Sequence, residues 1–367
     1  MTLFIIISLI LLIIAYLGSN RLSKSSNSMY ETKKKHTVVL SIEKTVCLLL
    51  LFFFWLLTAF RSINIGNDTR NYISVFNSIA RQGILPTFYM EIGYQYINLI
   101  ISKIFGSDPH VFLIVCATIS YLGISIYIIK KSKNYYLSVC IAFCLLFSCY
   151  TNTIRQGLGM ILGIVAYQLI LKKKIVPAVV VILFAMSIHY SAIVLFALFL
   201  YRFVPKKYST VLIISGLLLA LSVSGALNAI LYQLVPRGQA YFLSERVGSG
   251  FLALSYELIR DLIFCFFAYK SCKGEVFNIE KQRRLSLFVA SALISCISFN
   301  MNLISRANGF FLILMIVELP NVFHDLDSRS RKWCAWGTCA VMIIYFVLVQ
   351  MIRPEWNHLI PYEFWRN

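Results

Sequence analysis

The sequence predicts an all-α polytopic membrane protein with about twelve transmembrane helices. Three observations predict it. Of 367 residues, 59% are hydrophobic and the mean hydropathy is +0.77, well beyond the apolar share of a soluble globular domain. The apolar stretches are solid rather than alternating, which is the pattern of helices and not of a barrel. The lysines cluster in short loops between those stretches, as orientation signals do. The net charge of +19 therefore reads as membrane topology and not as a nucleic-acid partner. The near-continuous apolar pattern predicts a single integral membrane domain over 1–367.

Taken in order, the predicted spans are about 3–18, 38–60, 111–129, 135–150, 157–171, 175–190, 191–204, 208–228, 251–269, 285–303, 307–323 and 334–352, each long enough to cross most of a bilayer. The first lacks a basic leading region and a small-residue cleavage site, so it reads as a retained helix and not a signal peptide. Basic loops follow every odd span: Arg21 to Lys35, Lys130 to Lys133, Lys172 to Lys174, Arg202 to Lys207, Lys270 to Arg284 and Arg329 to Lys332. The positive-inside rule puts all of these in the cytoplasm and both termini outside.

One apolar segment must be excluded for this alternation to hold. Ile92 to Phe105 carries Tyr94, Gln95, Tyr96, Asn98 and Lys103 and is short, so it is expected as an interfacial or re-entrant helix. Thr69 to Gln82 is amphipathic and too polar to span. The first outer loop, 61–110, is thus expected to be structured. A second outer loop is expected over 229–256 and an outer tail over 353–367.

This topology sorts the cations. The outer loops contain Arg61, Arg70, Arg81, Arg155, Arg237, Arg246, Arg306, Arg353 and Arg366, and of lysines only Lys103. The planar fork of arginine suits bidentate grip on phosphate, so the outer face points to an anionic, phosphorylated ligand. The plainer reading is that these arginines anchor helix ends to lipid headgroups. Arg155 and Arg306 stand out, because each lies at the mouth of a span beside Asn or Gln. In Thr151 to Ser191, two apolar limbs flank Lys172 to Lys174, which brings Arg155 and His189 to the same membrane face.

Candidate acid–base groups are few. Asp68 lies in a Gly66-Asn67-Asp68 turn and reads either as an N-cap of the following helix or as a general base. Glu91 opens the next helix, where a carboxylate is also favoured by the helix dipole. His189, followed by Tyr190 and Ser191, reads as a functional or a satisfied buried histidine. Glu257, Arg260 and Asp261 lie within one stretch of a span and must pair there, so an internal salt bridge is expected. The outer acids are widely separated, so no metal or other cofactor is expected. The ten cysteines, mostly inside apolar runs, read as small buried hydrophobes. No phosphate-binding Gly-rich loop or nucleophile elbow is present.

Several short motifs, in order, carry a resemblance: Gly66-x-Asp68-x-x-x-Tyr72, Glu91-x-Gly93-Tyr94, Arg155-Gln156, His189-Tyr190-Ser191, Arg306 after an Asn-containing turn, and Pro361-Tyr362. Their layout resembles the EpsG-type family of bacterial exopolysaccharide and O-antigen polymerases, the Wzy group. Gly157 and Gly159 depart from it, since small residues such as alanine are expected there. The resemblance implies a metal-independent, GT-C-like glycosyltransferase of the bacterial inner membrane, with its site facing the periplasm. It would move a growing glycan from undecaprenyl diphosphate onto a new lipid-linked repeat unit, in lipopolysaccharide or related polysaccharide biosynthesis. Partners implied are undecaprenyl-diphosphate-linked oligosaccharides, membrane lipids and a chain-length regulator protein. Asp68, Glu91 and His189 are the catalytic candidates. Arg155, Arg306, Arg237, Arg246, Tyr72, Tyr94, Gln156 and Tyr190 are the substrate-binding candidates. The competing classes are a polysaccharide flippase or transporter, which would carry charges at the midplane within broken helices, and an O-antigen ligase or acyltransferase.

Overall fold

A computed structural model describes residues 1–24, 33–84, 90–227, 251–272, 277–300 and 302–365. Arg237, Arg246 and Arg366 lie outside the described residues, as does most of the expected outer loop at 229–256.

The described chain is helical, apart from one isolated bridge between Arg61 and Phe364. In order, the helices are α1 (Thr2–Lys24), α2 (Lys33–Ala59), α3 (Thr69–Gln82), α4 (Ile92–Phe105), α5 (Pro109–Lys131), α6 (Tyr135–Asn152), α7 (Ile154–Leu171) and α8 (Ile175–Ile188). A 3₁₀ helix, Tyr190–Phe203, follows, and then α9 (Tyr208–Val223), α10 (Phe251–Ser271), α11 (Ile279–Ile297), α12 (Asn302–Ala307), α13 (Gly309–His324) and α14 (Ser328–Ile352). Among the described residues, each predicted span overlaps helix, although 285–303 runs past the end of one helix into the next. Among the described residues, 6 helices are long and apolar enough to cross a membrane: α1, α2, α5, α6, α7 and α14. α8, the 3₁₀ helix, α9 and α13 are apolar but shorter. α10 and α11 interrupt their apolar runs with Glu257, Arg260, Asp261 and with Glu280, Lys281, Arg283, Arg284.

The segment expected as a span at 191–204 is not α-helical. It is a 14-residue 3₁₀ helix, far longer than such helices usually run. Its buried residues are Ala192, Leu195, Leu198 and Tyr201, every third position. That spacing matches three residues per turn, and the ~2.0 Å rise extends the segment further than an α-helix of equal length.

The chain divides into two compact units. The first comprises residues 1–164, 183–190 and 315–367. Here α1 packs on α6 and α14, and α2 on α5 and α6. Phe4, Phe54, Phe143, Phe147 and Phe346 fill the centre, with rings as close as 4.8 Å for Phe54–Phe143 and Phe143–Phe346. The two short helices excluded from the span count fold onto this bundle: α3 packs on α4, and both pack on α5. α3 buries Tyr72, Ile73, Val75, Phe76 and Ile79 and turns its polar residues outward, as its amphipathic pattern requires. The second unit, residues 165–182 and 191–314, is built on α9, α10 and α11 packed together.

Candidate active site

The corner begins at a break. α6 stops at Asn152, and α7 restarts at Ile154 after a single non-helical residue, Thr153. Arg155 therefore lies in the first turn of α7. Gly157 belongs to this turn because a Cβ there would lie 2.7 Å from the Tyr150 ring. Alanine, expected at this position, would force the Tyr150 ring to shift.

Arg155 points to Glu91. Its Nη1 donates to Glu91 Oε2 and lies 3.0 Å from Met90 Sδ. Glu91 occupies the N-cap position of α4 but makes no side-chain cap bond. Its other oxygen, Oε1, accepts the backbone N–H of Tyr190 at 2.9 Å and lies 3.6 Å from His189 Nδ1. α8 ends at Ile188, so His189 and Tyr190 project from its terminus. The Glu91-x-Gly93 spacing has a packing cause. A Cβ on Gly93 would lie 2.7 Å from the Ser187 carbonyl, so only glycine lets α4 approach the end of α8 closely enough for Glu91 to reach His189 and Tyr190.

The carboxylate is held well below its ordinary range. Burial works against this, raising the value, but the His189 ring, the Arg155 charge and the Tyr190 N–H outweigh it and bring Glu91 to about 2. Glu91 is therefore ionised at neutral pH. The corner is partly open: the side chains of Arg155, Glu91 and His189 are 17%, 21% and 18% exposed. Arg155 Nε carries no hydrogen bond among the described residues.

Asp68 belongs to a second part of the same unit. It holds the N-cap position of α3, yet its backbone is helical and its carboxylate makes no cap bond. The capping alternative is thus removed. No hydrogen bond or ion pair engages this carboxylate among the described residues, and none joins it to Glu91, Arg155 or His189. The Asp68 turn is tied to the α6–α7 break: Asn67 N donates to Asn152 Oδ1 at 2.6 Å, and Thr69 Oγ1 to the Thr151 carbonyl at 3.2 Å. Gly66, at φ +87°, faces that same carbonyl, which a Cβ would approach to 2.3 Å.

The C-terminal tail straps over this turn. Asn67 Nδ2 donates to the Trp356 carbonyl at 2.7 Å, Gly66 N to the His358 carbonyl at 3.1 Å, and Ser62 N to that of Glu363 at 2.9 Å. Asn152 Nδ2 reaches Asn357 Oδ1 at 3.1 Å. Tyr362 inserts against Phe4 and donates to the Leu57 carbonyl, and Trp365 stacks on His110 at 4.7 Å. Between turn and tail lies a cavity of about 510 Å³ lined by Asn64, Asn67, Arg70, His358, Pro361 and Glu363. Its size suits a small-molecule portion of a ligand.

The remaining candidates separate by burial. Tyr72 and Tyr94 meet edge to face at 5.9 Å inside the α3–α4–α5 core, at 5% and 0% exposure, so they support the loop from beneath. Gln156 is buried, whereas the Tyr190 ring is exposed. Arg306 lies in the other unit, exposed on the short helix α12.

That unit contains a different charged cluster, which the sequence analysis expected as a salt bridge. Asp261 is fully buried and accepts from Arg260 Nε at 2.8 Å, Ser295 Oγ at 2.6 Å and Asn308 Nδ2 at 2.6 Å. Asn308 Oδ1 in turn accepts from Ser291 Oγ at 2.8 Å. The bridge joins neighbouring residues, and its extension through Asn308 was not legible from spacing. Among the described residues, no group of three or more His, Cys, Asp or Glu side chains is placed to hold a metal ion. All ten cysteines are free.

Fold and site together define a polytopic helical membrane protein with an arginine–carboxylate–histidine corner at the ends of two of its apolar helices. The chain matches the EpsG family over residues 44–364 and belongs to it. No curated protein and no solved structure matches the chain.

Proposed function

We propose that this protein is a polysaccharide polymerase, a glycosyltransferase of the bacterial inner membrane whose site faces the periplasm. Its donor is a growing glycan on undecaprenyl diphosphate, and its acceptor is a new lipid-linked repeat unit. Family membership supports the polymerase class. The observation that carries the chemistry is the corner of Arg155, Glu91 and His189, with the unengaged carboxylate of Asp68 in the same unit.

In this reading an acceptor hydroxyl attacks the anomeric carbon of the donor sugar. The bond from that carbon to the diphosphate oxygen breaks, and undecaprenyl diphosphate leaves. The hydroxyl proton passes to Asp68, the carboxylate left without a partner, and then to water. Glu91, ionised down to about pH 2 and already engaged, is a poor base at neutral pH. Its part is to aim Arg155 and to hold the end of α8. Arg155 offers its remaining donors to the negative charge that grows on the diphosphate. His189, beside both, orients the acceptor or donates to the leaving diphosphate. Arg306 is proposed as a further phosphate-binding residue, as are Arg237 and Arg246 in the outer loop beyond the described residues. About twelve spans with GT-C-like organisation is the arrangement this reading assumes.

The test is a reconstituted assay with lipid-diphosphate-linked repeat units. Wild type gives a ladder of longer glycans. Asp68→Asn and Arg155→Ala are expected to give none while inserting normally. Full-length polymer from both variants overturns the assignment, and lipid movement without new glycosidic bonds identifies a flippase instead.

A further inference from the structure

Arg61 fits neither role open to an outer-face arginine. It is 1% exposed, so it reaches neither lipid headgroups nor a ligand. The space beside it, bounded by Ser120, Tyr150 and Ile154 among others, is about 10 Å³, room for one water and no more. Burial brings its guanidinium down to about 10, which still leaves it cationic at neutral pH. No carboxylate meets it among the described residues. Its partners are two carbonyls: Nη1 donates to Thr58 and Nη2 to Thr151 at 3.3 Å. A buried cation without a counter-charge is costly, and a chain keeps one where it does something an apolar residue cannot.

What it does follows from the break between α6 and α7. In a continuous helix the Thr151 carbonyl would accept from the N–H of residue 155. The break at Thr153 removes that bond and leaves a buried acceptor to be satisfied. Arg61 Nη2 donates to it at 3.3 Å, and Thr69 Oγ1 lies 3.2 Å away with its single proton shared with the Ile65 carbonyl at 2.6 Å; Gly66 leaves the approach open. One of these donors adjoins Asp68 in sequence, and the carbonyl lies four residues before Arg155. Arg61 also forms the bridge to Phe364, within the strap that holds Tyr362 in the core.

We infer that Arg61 is a positioning residue which, through the Thr151 carbonyl, fixes the Asp68 turn against the helix that carries Arg155. This rests on the proposed roles of Asp68 and Arg155, and the test separates the two ideas. Spin labels on unnatural side chains at positions 64 and 190, both exposed, report the geometry directly, whatever the reaction. Wild type is expected to give one narrow distance. Arg61→Met, which keeps the bulk, and Thr69→Val, which keeps the shape and loses one hydroxyl, are expected to broaden or shift it. In the polymerase assay both lower kcat, by about ten- to a hundredfold for Arg61→Met and less for Thr69→Val, with KM for the lipid-linked donor within about twofold. Arg61→Lys keeps the charge but cannot serve both carbonyls, so it recovers only part of the rate. Unchanged distances in both variants overturn the inference, as does a rise in KM with kcat intact. A broadened distance in a protein that polymerises nothing leaves Arg61 as the tie and refutes the polymerase reading alone.

Discussion

The Asp261 knot and the Glu91 corner each pair a carboxylate with an arginine and end in opposite states. Asp261 is fully enclosed, and Arg260, Ser295 and Asn308 all donate to it. Nothing is left for a ligand, and there is no way in. Glu91 is equally engaged, but its corner is not sealed: the side chains of Arg155, Glu91 and His189 are about a fifth open to their surroundings. A saturated ionic cluster holds helices together, whereas one that is anchored on one side and open on the other can act on something else. The pairing of charges is common to both, and the access makes the difference.

The sharpest way to break this contrast is to remove each anchor and ask what is lost. Asp261→Ala leaves the Arg260 cation and the Asn308 amide buried without their acceptor, which costs about 3–5 kcal/mol. The expected result is a large fall in melting temperature in detergent, or failure to accumulate. Arg155→Ala, which leaves His189 and the Tyr190 N–H on Glu91, is expected to lower the melting temperature less than Asp261→Ala does and to reduce polymer formation by about a hundredfold or more. Should the two variants exchange phenotypes, the knot would be the functional cluster and the corner the structural one.

A subtler probe is pH. Glu91 has a folded value of about 2, below its ordinary 4.5. A depressed carboxylate adds stability that is fully present above the ordinary value and is lost as pH falls through the folded one. Wild type should therefore lose melting temperature between about pH 4.5 and 2. Glu91→Gln should be less stable at neutral pH and should lose that part of the slope. A wild-type curve parallel to that of Glu91→Gln across this window would show that the Arg155 and His189 contacts do not hold the carboxylate ionised.

Much of this was legible in the sequence, and the rest was not for specific reasons. The periodicity of 69–82 and the polar residues of 92–105 marked off two short helices whose bounds match the structure. The tilt of lysine and arginine between loops picked out Arg155, and the end of an apolar limb picked out His189. Glu91 was seen as a candidate base, but its engagement by three groups depends on Gly93 and Ser187 meeting across a distance in sequence. Arg61 was grouped with the outer arginines because position relative to a span says nothing about burial. The 3₁₀ helix was written in a period of three at Ala192, Leu195, Leu198 and Tyr201, a signal that a search for 3.6 passes over.

The smallest expected effect tests whether the break that carries Arg155 is as tightly built as it looks. Gly157 and Gly337 are both helical glycines, so alanine should stabilise each by up to about 1 kcal/mol through propensity alone. At Gly337 nothing lies within 4 Å of the added carbon, and Gly337→Ala is expected to raise the melting temperature slightly. At Gly157 the same carbon would lie 2.7 Å from the Tyr150 ring, which is 3% exposed and would have to shift. Overpacking costs about 1–3 kcal/mol, so the sign reverses and Gly157→Ala is expected to lower the melting temperature by a few degrees. Because Tyr150 stands one residue before Thr151, the strain is delivered to the break itself, and a modest loss of polymerase rate should accompany it. If Gly157→Ala stabilises the protein as Gly337→Ala does, the ring is free to move, and the α6–α7 break is looser than its hydrogen bonds imply.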